Sequence, residues 1–358
     1  MAFNIKDVLR KDLANLVQYE VQPSKNGLIR LDANENPFDF PFSLQEQIHR
    51  QIRSRSFNRY PDDPADELRE AISQYTGVPV EGIMLGNGSD ELILNLCLAV
   101  GSGAQVVIAT PTFSMYRINS LIAGAAPVEI PRLTTGFALD LDSLGRAAAG
   151  EKTKLVFLCS PNNPTGNATP PEEIAAILER SRALVVVDEA YIDFGGQTCL
   201  PLLEKYPNLV ILRTFSKAFG LAGLRVGYLL GNPEVVSELM RVKQPFNLST
   251  FAQVAARTAL AYREEFLKMI ALIRQFRGKL IKELASLPGV TVFPSEANFI
   301  LFRTPQPANF VFRRLLQEGV LIRSLHGPGL EECLRVTVGR EEENEIFIEK
   351  MKEVLSLT

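Results

Sequence analysis

The chain has 358 residues, 46% of them hydrophobic and 22% charged, with a net charge of −3. This is the composition of a soluble globular protein long enough for two domains, and its scattered basic residues leave no electrostatic footprint for nucleic acid. No apolar run reaches the roughly 18 residues a membrane span requires, and Met1–Val8 lacks a basic flank followed by an apolar signal core. A cytoplasmic protein without membrane association is the expectation.

Cys97, Cys159, Cys199 and Cys333 are far apart in the sequence and read as reduced core thiols. The only histidines, His49 and His326, stand in no metal-ligand spacing, so no metal site is expected. Lys, Asp, Tyr and Arg are left to carry any chemistry.

In chain order, residues 1–40 form an N-terminal arm, with a short helix expected from Ile5 to Leu16 and an extended stretch ending in Leu31-Asp32-Ala33-Asn34-Glu35-Asn36-Pro37-Phe38. Helices are expected over about 43–55 and from Asp66, separated by the turn Arg59-Tyr60-Pro61-Asp62. Gly86-Asn87-Gly88-Ser89-Asp90-Glu91 then precedes an apolar run, and its glycines and capping residue suit either an ordinary helix start or an anion site at a helix N-terminus.

Strands follow at Gln105–Ala109, Val128–Ile130, Lys154–Cys159, Ala183–Val187, Leu209–Leu212 and Val226–Leu230. Helical segments intervene, one opening near Pro111-Thr112-Phe113-Ser114-Met115-Tyr116 and another running from Pro171 to Arg182. β-branched strands alternating with helices predict an α/β fold whose mostly parallel sheet is covered by helices on both faces. Gly-x-Gly-x-x-Gly after the first strand is missing, which argues against a nicotinamide-binding domain.

Beyond about Pro245 the pattern changes. A helical region over Ser249–Ser286 links to a smaller α+β unit, with strands expected at Val290–Phe293, Asn298–Phe302, Val320–Arg323 and Cys333–Val338, a helix over Ala308–Glu318 and a closing helix from Glu342. The division expected is an arm (1–40) packing with the small unit, a large domain (41–245), a helical link (246–285) and a small C-terminal domain (286–358).

Polar clusters fall at the strand ends, where open α/β sheets bind ligands. After Leu209–Leu212 comes Thr214-Phe215-Ser216-Lys217-Ala218-Phe219-Gly220-Leu221-Ala222-Gly223-Leu224-Arg225. A lysine among apolar neighbours loses hydration, which favours the neutral amine; alone, it also reads as a solvated loop lysine. Ser160-Pro161-Asn162-Asn163-Pro164-Thr165-Gly166 and Asp188-Glu189-Ala190-Tyr191 end two neighbouring strands. Together these clusters offer an amide, a carboxylate, a phenol, a lysine and an arginine. Pyridoxal phosphate uses such a set: a lysine for its aldehyde, a carboxylate for its ring nitrogen, donors for its ring oxygen and a cationic cup for its phosphate.

Asn163-Pro164-Thr165-Gly166, Asp188-Glu189-Ala190-Tyr191 and Ser216–Arg225, in that order, resemble the fold type I aminotransferases over nearly the whole chain. The resemblance implies that Lys217 is the Schiff-base lysine and moves the substrate's α-proton, and that Asp188 pairs with the ring nitrogen of pyridoxal 5'-phosphate. Asn163 and Tyr191 would hold the ring oxygen, Phe113 would stack on the ring, and Gly88, Ser89, Asp90, Thr214, Ser216 and Arg225 would cup the phosphate. It further implies a homodimer in which Tyr60 reaches the neighbouring subunit's phosphate site.

Leu31–Pro37, Cys159–Gly166 and Leu334-Arg335-Val336-Thr337-Val338-Gly339 are most similar to the histidinol-phosphate aminotransferases. That family interconverts L-histidinol phosphate plus 2-oxoglutarate and imidazole-acetol phosphate plus L-glutamate. The likeness implies that Arg335 and Arg323 bind the substrate's acidic group, with Tyr19 and Asn34 of the arm also on the substrate side. Residues Ser324–Glu332 match no pattern of the family. The alternatives in view are an aromatic amino acid aminotransferase and a pyridoxal-phosphate decarboxylase of a phosphorylated amino acid.

Overall fold

The computed structural model describes residues 3–11, 13, 16 and 27–356. The helix expected from Ile5 begins as the 3-10 turn Ile5–Asp7, and much of the remainder of that stretch lies outside the described residues. Strand β1 (Ile29–Arg30) leads to helices α1 (Phe42–Arg53) and α2 (Asp66–Thr76), then to strand β2 (Ile83–Gly86) and helix α3 (Ser89–Val100). There follow β3 (Gln105–Thr110), α4 (Met115–Ala123), β4 (Ala126–Pro131), α5 (Leu141–Ala148), β5 (Thr153–Cys159), α6 (Pro171–Arg180), β6 (Leu184–Asp188), β7 (Leu209–Thr214), β8 (Gly227–Gly231) and α7 (Pro233–Leu239).

The seven-stranded sheet has the order β2-β8-β7-β6-β5-β3-β4. Its strands run parallel from β4 through β7, while β8 is antiparallel to both β7 and β2. Alternation along the strands shows why helices cover both faces. Val106, Ile108, Phe157 and Val186 pack with Leu92, Leu96 and Tyr116 from α3 and α4. Val107, Val156, Val185 and Val187 pack on the other face with Leu144, Ile174 and Ile177 from α5 and α6. A strand apolar at every position can be buried only this way, because its successive side chains point to opposite faces.

The link expected as one helical region is two helices, α8 (Thr250–Ala261) and α9 (Arg263–Ala285), which share Tyr262 as C-cap and N-cap. Beyond it lie β9 (Thr291–Val292), β10 (Phe299–Arg303), α10 (Ala308–Gln317), β11 (Val320–Leu321), β12 (Arg323–Ser324), β13 (Cys333–Thr337) and α11 (Glu341–Leu355). The antiparallel sheet β12-β13-β10-β9 is the core of this smaller unit. One strand expected over 320–323 is divided: β11 pairs in parallel with β1 of the arm, and β12 pairs with β13. The division places Arg323 directly opposite Arg335, and residues directly opposite in an antiparallel pair project from the same face.

Candidate active site

The parallel strand ends converge as their alignment dictates. Cys159 pairs with Asp188 and Asp188 with Leu212, so the turns after β5, β6 and β7 open on one edge of the sheet. Asp188 is 3% exposed. Its Oδ1 accepts from the Ala190 amide at 3.0 Å and its Oδ2 from the Tyr116 hydroxyl at 2.7 Å. Burial pushes this carboxyl up to about 6, against the two hydrogen bonds that favour the ionised form.

Lys217 follows β7, and its Nζ donates to the Ala33 carbonyl at 3.0 Å. Burial, then the nearby Arg335 guanidinium, brings the amine down to about 8, so that roughly a tenth of it is neutral at pH 7, far more than for an ordinary lysine. The arm is what closes this pocket. Asn36 Nδ2 donates to the Ala218 carbonyl at 3.0 Å, and the Arg335 guanidinium donates to the Asp32 carbonyl at 2.6 Å. Asn34 is buried with φ 54°; its amide nitrogen Nδ2 donates to the Tyr191 hydroxyl at 3.0 Å, and its backbone carbonyl accepts from Asn298 Nδ2 at 3.1 Å.

Tyr191 lies edge-on to Phe299, with ring centroids 5.1 Å apart, and the Arg335 guanidinium sits 5.2 Å from the same ring. Arg335 Nη1 also donates to Asn163 Oδ1. Asn163, Tyr191, Lys217 and Arg335 are therefore neighbours contributed by four different elements.

A second cluster forms around Arg225, which has φ 52°. Its Nη1 donates to Ser216 Oγ at 3.2 Å and its Nη2 to Asp90 Oδ2 at 3.0 Å. Helix α3 begins at Ser89 after Gly88, which provides no side-chain cap, so the first N–H groups of α3 remain directed outward at the positive end of its dipole. A Cβ on Gly88 would collide with Arg225 Nη2, and one on Gly227 would collide with the Ser89 amide. Glycine at both positions lets strand, helix and guanidinium form one shallow cup. The Thr214 hydroxyl is turned to the backbone, donating to the Val226 carbonyl at 3.3 Å and accepting from the Ser216 amide at 3.1 Å.

Phe113 stands edge-on to Tyr116 at 5.7 Å. Its loop is tied to the β5 turn through the buried Asn162, which accepts from Thr112 Oγ1 at 2.7 Å and donates to the Pro111 carbonyl at 3.0 Å. Tyr60 joins none of these contacts: it is 79% exposed and stacks on Phe246 at 4.4 Å. Tyr19 lies outside the described residues.

Asn162, Asn36 and Tyr116 join the site without having been assigned a role from the sequence, although Asn162 and Tyr116 lie inside motifs at strand ends and Asn36 inside the Leu31–Pro37 stretch of the arm. Their partners are distant in the chain, and no local spacing announces them. Among the described residues no group of three or more His, Cys, Asp and Glu is placed to hold a metal ion, and no helix is long and apolar enough to cross a membrane. An amine, a buried carboxylate, an amide with a phenol, and a cationic cup at a helix N-terminus form a donor set that fits a flat nitrogen heterocycle carrying a carbonyl and a phosphate.

Comparison with known proteins agrees with this chemistry. The sequence model of the class I and II aminotransferases matches residues 26–351. A histidinol-phosphate aminotransferase of Desulfitobacterium hafniense strain Y51 is 41% identical over 359 aligned positions, covering 98% of both chains. Another, from Caldanaerobacter subterraneus subsp. tengcongensis, is 41% identical over 98% of this chain and 100% of its own. Among solved structures, the histidinol-phosphate aminotransferase of Sinorhizobium meliloti in complex with pyridoxal-5'-phosphate superposes with a TM-score of 0.85 at 29% identity, covering 92% of this chain and 91% of that one. By its sequence and its architecture alike, the chain belongs to the class I and II aminotransferases, in the histidinol-phosphate aminotransferase family.

Proposed function

We propose that this aminotransferase interconverts L-histidinol phosphate plus 2-oxoglutarate and imidazole-acetol phosphate plus L-glutamate, as a cytoplasmic homodimer using pyridoxal 5'-phosphate. The observation that carries the substrate class is the pair Arg323 and Arg335, opposite each other on β12 and β13. Two guanidinium-bearing residues on one face of the small sheet suit an anionic substrate group, which each can meet with charge-assisted hydrogen bonds. Kinship with curated histidinol-phosphate aminotransferases supports the identity of that substrate.

When bound, the cofactor supplies an aldehyde that captures the amine and a protonated ring that takes up the electrons released with the α-proton. The roles of the chain's own residues follow from chemistry and placement. Lys217 holds the cofactor through its amine and, in the neutral form, serves as the base that takes the proton from the substrate's α-carbon. Asp188 pairs with the ring nitrogen, while Asn163 and Tyr191 hold the ring oxygen. Phe113 packs on the ring face. Arg225, Ser216 and the backbone of Gly88, Ser89 and Asp90 receive the phosphate, joined by Tyr60 of the second copy, while Thr214, whose hydroxyl donates to the Val226 carbonyl, supports the cup by holding the Ser216 amide.

Arg335 and Arg323 bind the acidic group of the substrate, with Asn34 and Tyr19 of the arm closing over it. In the same reading, the arm (1–40) and the small domain (286–358) act as one body beside the large domain (41–245), connected by residues 246–285. The pairing of β1 with β11 supports this division, and the four buried free thiols suit a reducing cytoplasm.

An amino-donor panel with 2-oxoglutarate as acceptor tests the proposal. Histidinol phosphate is expected to exceed phenylalanine and unphosphorylated histidinol in kcat/KM by on the order of 10²-fold or more, because its phosphate offers the arginines charge-assisted hydrogen bonds that a single carboxylate or a hydroxyl does not equal. Efficient transfer from phenylalanine or tyrosine with none from histidinol phosphate would replace it with an aromatic amino acid aminotransferase. Carbon dioxide release from a phosphorylated amino acid would replace it with a decarboxylase.

A further inference from the structure

Tyr116 lies in α4, outside the set of groups that meet the cofactor or substrate in the proposed function, yet it is the most constrained tyrosine in the site. It is fully buried, with its ring stacked on Phe157 at 4.7 Å and 7° and edge-on to Phe113 at 5.7 Å. The ring held this way places its hydroxyl on Asp188 Oδ2 at 2.7 Å. The Ala190 amide occupies Oδ1. A carboxylate has about four acceptor positions, so two donors placed this way orient the group while leaving lone pairs for a third.

We propose that Tyr116 is a positioning residue of this enzyme: its hydroxyl keeps Asp188 ionised and aimed at the ring nitrogen of the bound cofactor.

The other groups facing Asp188 do not do this. Asp90 from α3 and the adjacent Glu189 are acids that, together with burial, oppose its ionisation, while Cys159 from β5 and Tyr191 in the following turn are pushed up by burial and stay neutral. Tyr116 and the Ala190 amide are the donors, and Tyr116 is the one a substitution can remove.

The assignment rests on the cofactor reading, and its test reads cofactor affinity and not turnover. Pyridoxal phosphate binding is measured from pH 5 to 9 for the wild type, Tyr116→Phe, Asp188→Asn and the double variant, with thermal melts confirming the fold. Tyr116→Phe keeps the stacked ring. It is expected to raise, by about one unit, the pH at which binding is lost on acidification, so that the loss of affinity is about twofold at pH 7 and approaches about tenfold at pH 5, the effect of one hydrogen bond to a charged group. In the Asp188→Asn background the same change is expected to add nothing, because Tyr116 acts through the carboxylate.

A loss equal at every pH, or one that adds in full to that of Asp188→Asn, overturns the assignment by showing a packing role. Absence of cofactor uptake by the wild type overturns this assignment together with the reading beneath it, whereas uptake with identical midpoints in the wild type and Tyr116→Phe overturns the assignment alone.

Discussion

Asp188 and Lys217 show how burial sets chemistry at single residues. Each is shifted toward its neutral form, the carboxyl up from 3.8 to about 6 and the amine down from 10.5 to about 8, because desolvation penalises either charge. For the acid, the sign of the stability effect follows from linkage. A carboxyl whose pKa is raised in the folded state binds its proton more tightly there, so stability is lost as pH rises from about 4 to about 6. Asp188→Asn is therefore expected to stabilise the cofactor-free protein by up to about 3 kcal/mol at pH 8 and by little at pH 4. Urea unfolding at the two pH values checks this, and an equal effect at both would exclude the linkage. For the amine, Lys217→Ala is expected to leave a protein that borohydride cannot lock to pyridoxal phosphate, whereas the wild type is locked and keeps its absorbance after dialysis.

At the scale of elements, the strand ends are held in place by a buried ion pair whose arginine no motif in the sequence marks. Arg213 on β7 donates to Glu189 Oε2 through Nε at 3.0 Å and Nη2 at 2.8 Å, while Glu189 Oε1 accepts from the Cys199 amide at 2.6 Å. Glu189 adjoins Asp188 and Arg213 precedes Thr214, so the pair fastens together the two turns that carry the carboxylate and the lysine. Arg213→Met leaves the buried Glu189 charge without its partner and is expected to cost about 3–5 kcal/mol, read by denaturant unfolding. The cup at α3 offers a second test. Gly88 has φ +79°, and a Cβ there meets Arg225 Nη2. Gly88→Ala is expected to weaken pyridoxal phosphate binding by at least about tenfold, combining left-handed strain with a displaced guanidinium; unchanged binding would remove the cup from the cofactor's phosphate.

The whole molecule adds Tyr60, which no contact within one chain brings to Lys217. It lines a cavity of about 380 Å³ with Arg55, Arg59 and Arg257, on a surface that also presents Phe57 at 84% exposure. Asp63 fastens this surface from beneath, accepting from the Lys243 ammonium at 2.7 Å and the Phe246 amide at 3.1 Å. Such a face suits a second copy of the chain, related by a two-fold axis that uses one patch on both subunits. Mixing inactive Lys217→Ala with inactive Tyr60→Ala, then allowing subunits to exchange, is expected to restore about a quarter of wild-type activity: half the dimers are hybrids, each with one of two sites intact. No recovery on exchange would show that Tyr60 serves its own chain or none.

Much of this is legible in the sequence for a local reason. Apolar runs of strand length determine a sheet buried on both faces, and turn residues immediately after them determine where polar side chains emerge. Asn163, Asp188 and Lys217 are thus assigned to one sheet edge by sequence alone, and the order of those motifs is enough to point to the family. The long-range meetings are decided only by tertiary structure. Tyr116 meets Asp188 across 72 positions, Arg335 meets Asn163 across 172, and Lys217 meets Ala33 across 184. Such contacts depend on which strands become neighbours and on how the arm threads between the two sheets, and the spacing of residues along a chain carries neither. The same holds for the break at Tyr262 and the division of residues 320–324 between two sheets, where packing overrides a continuous local pattern.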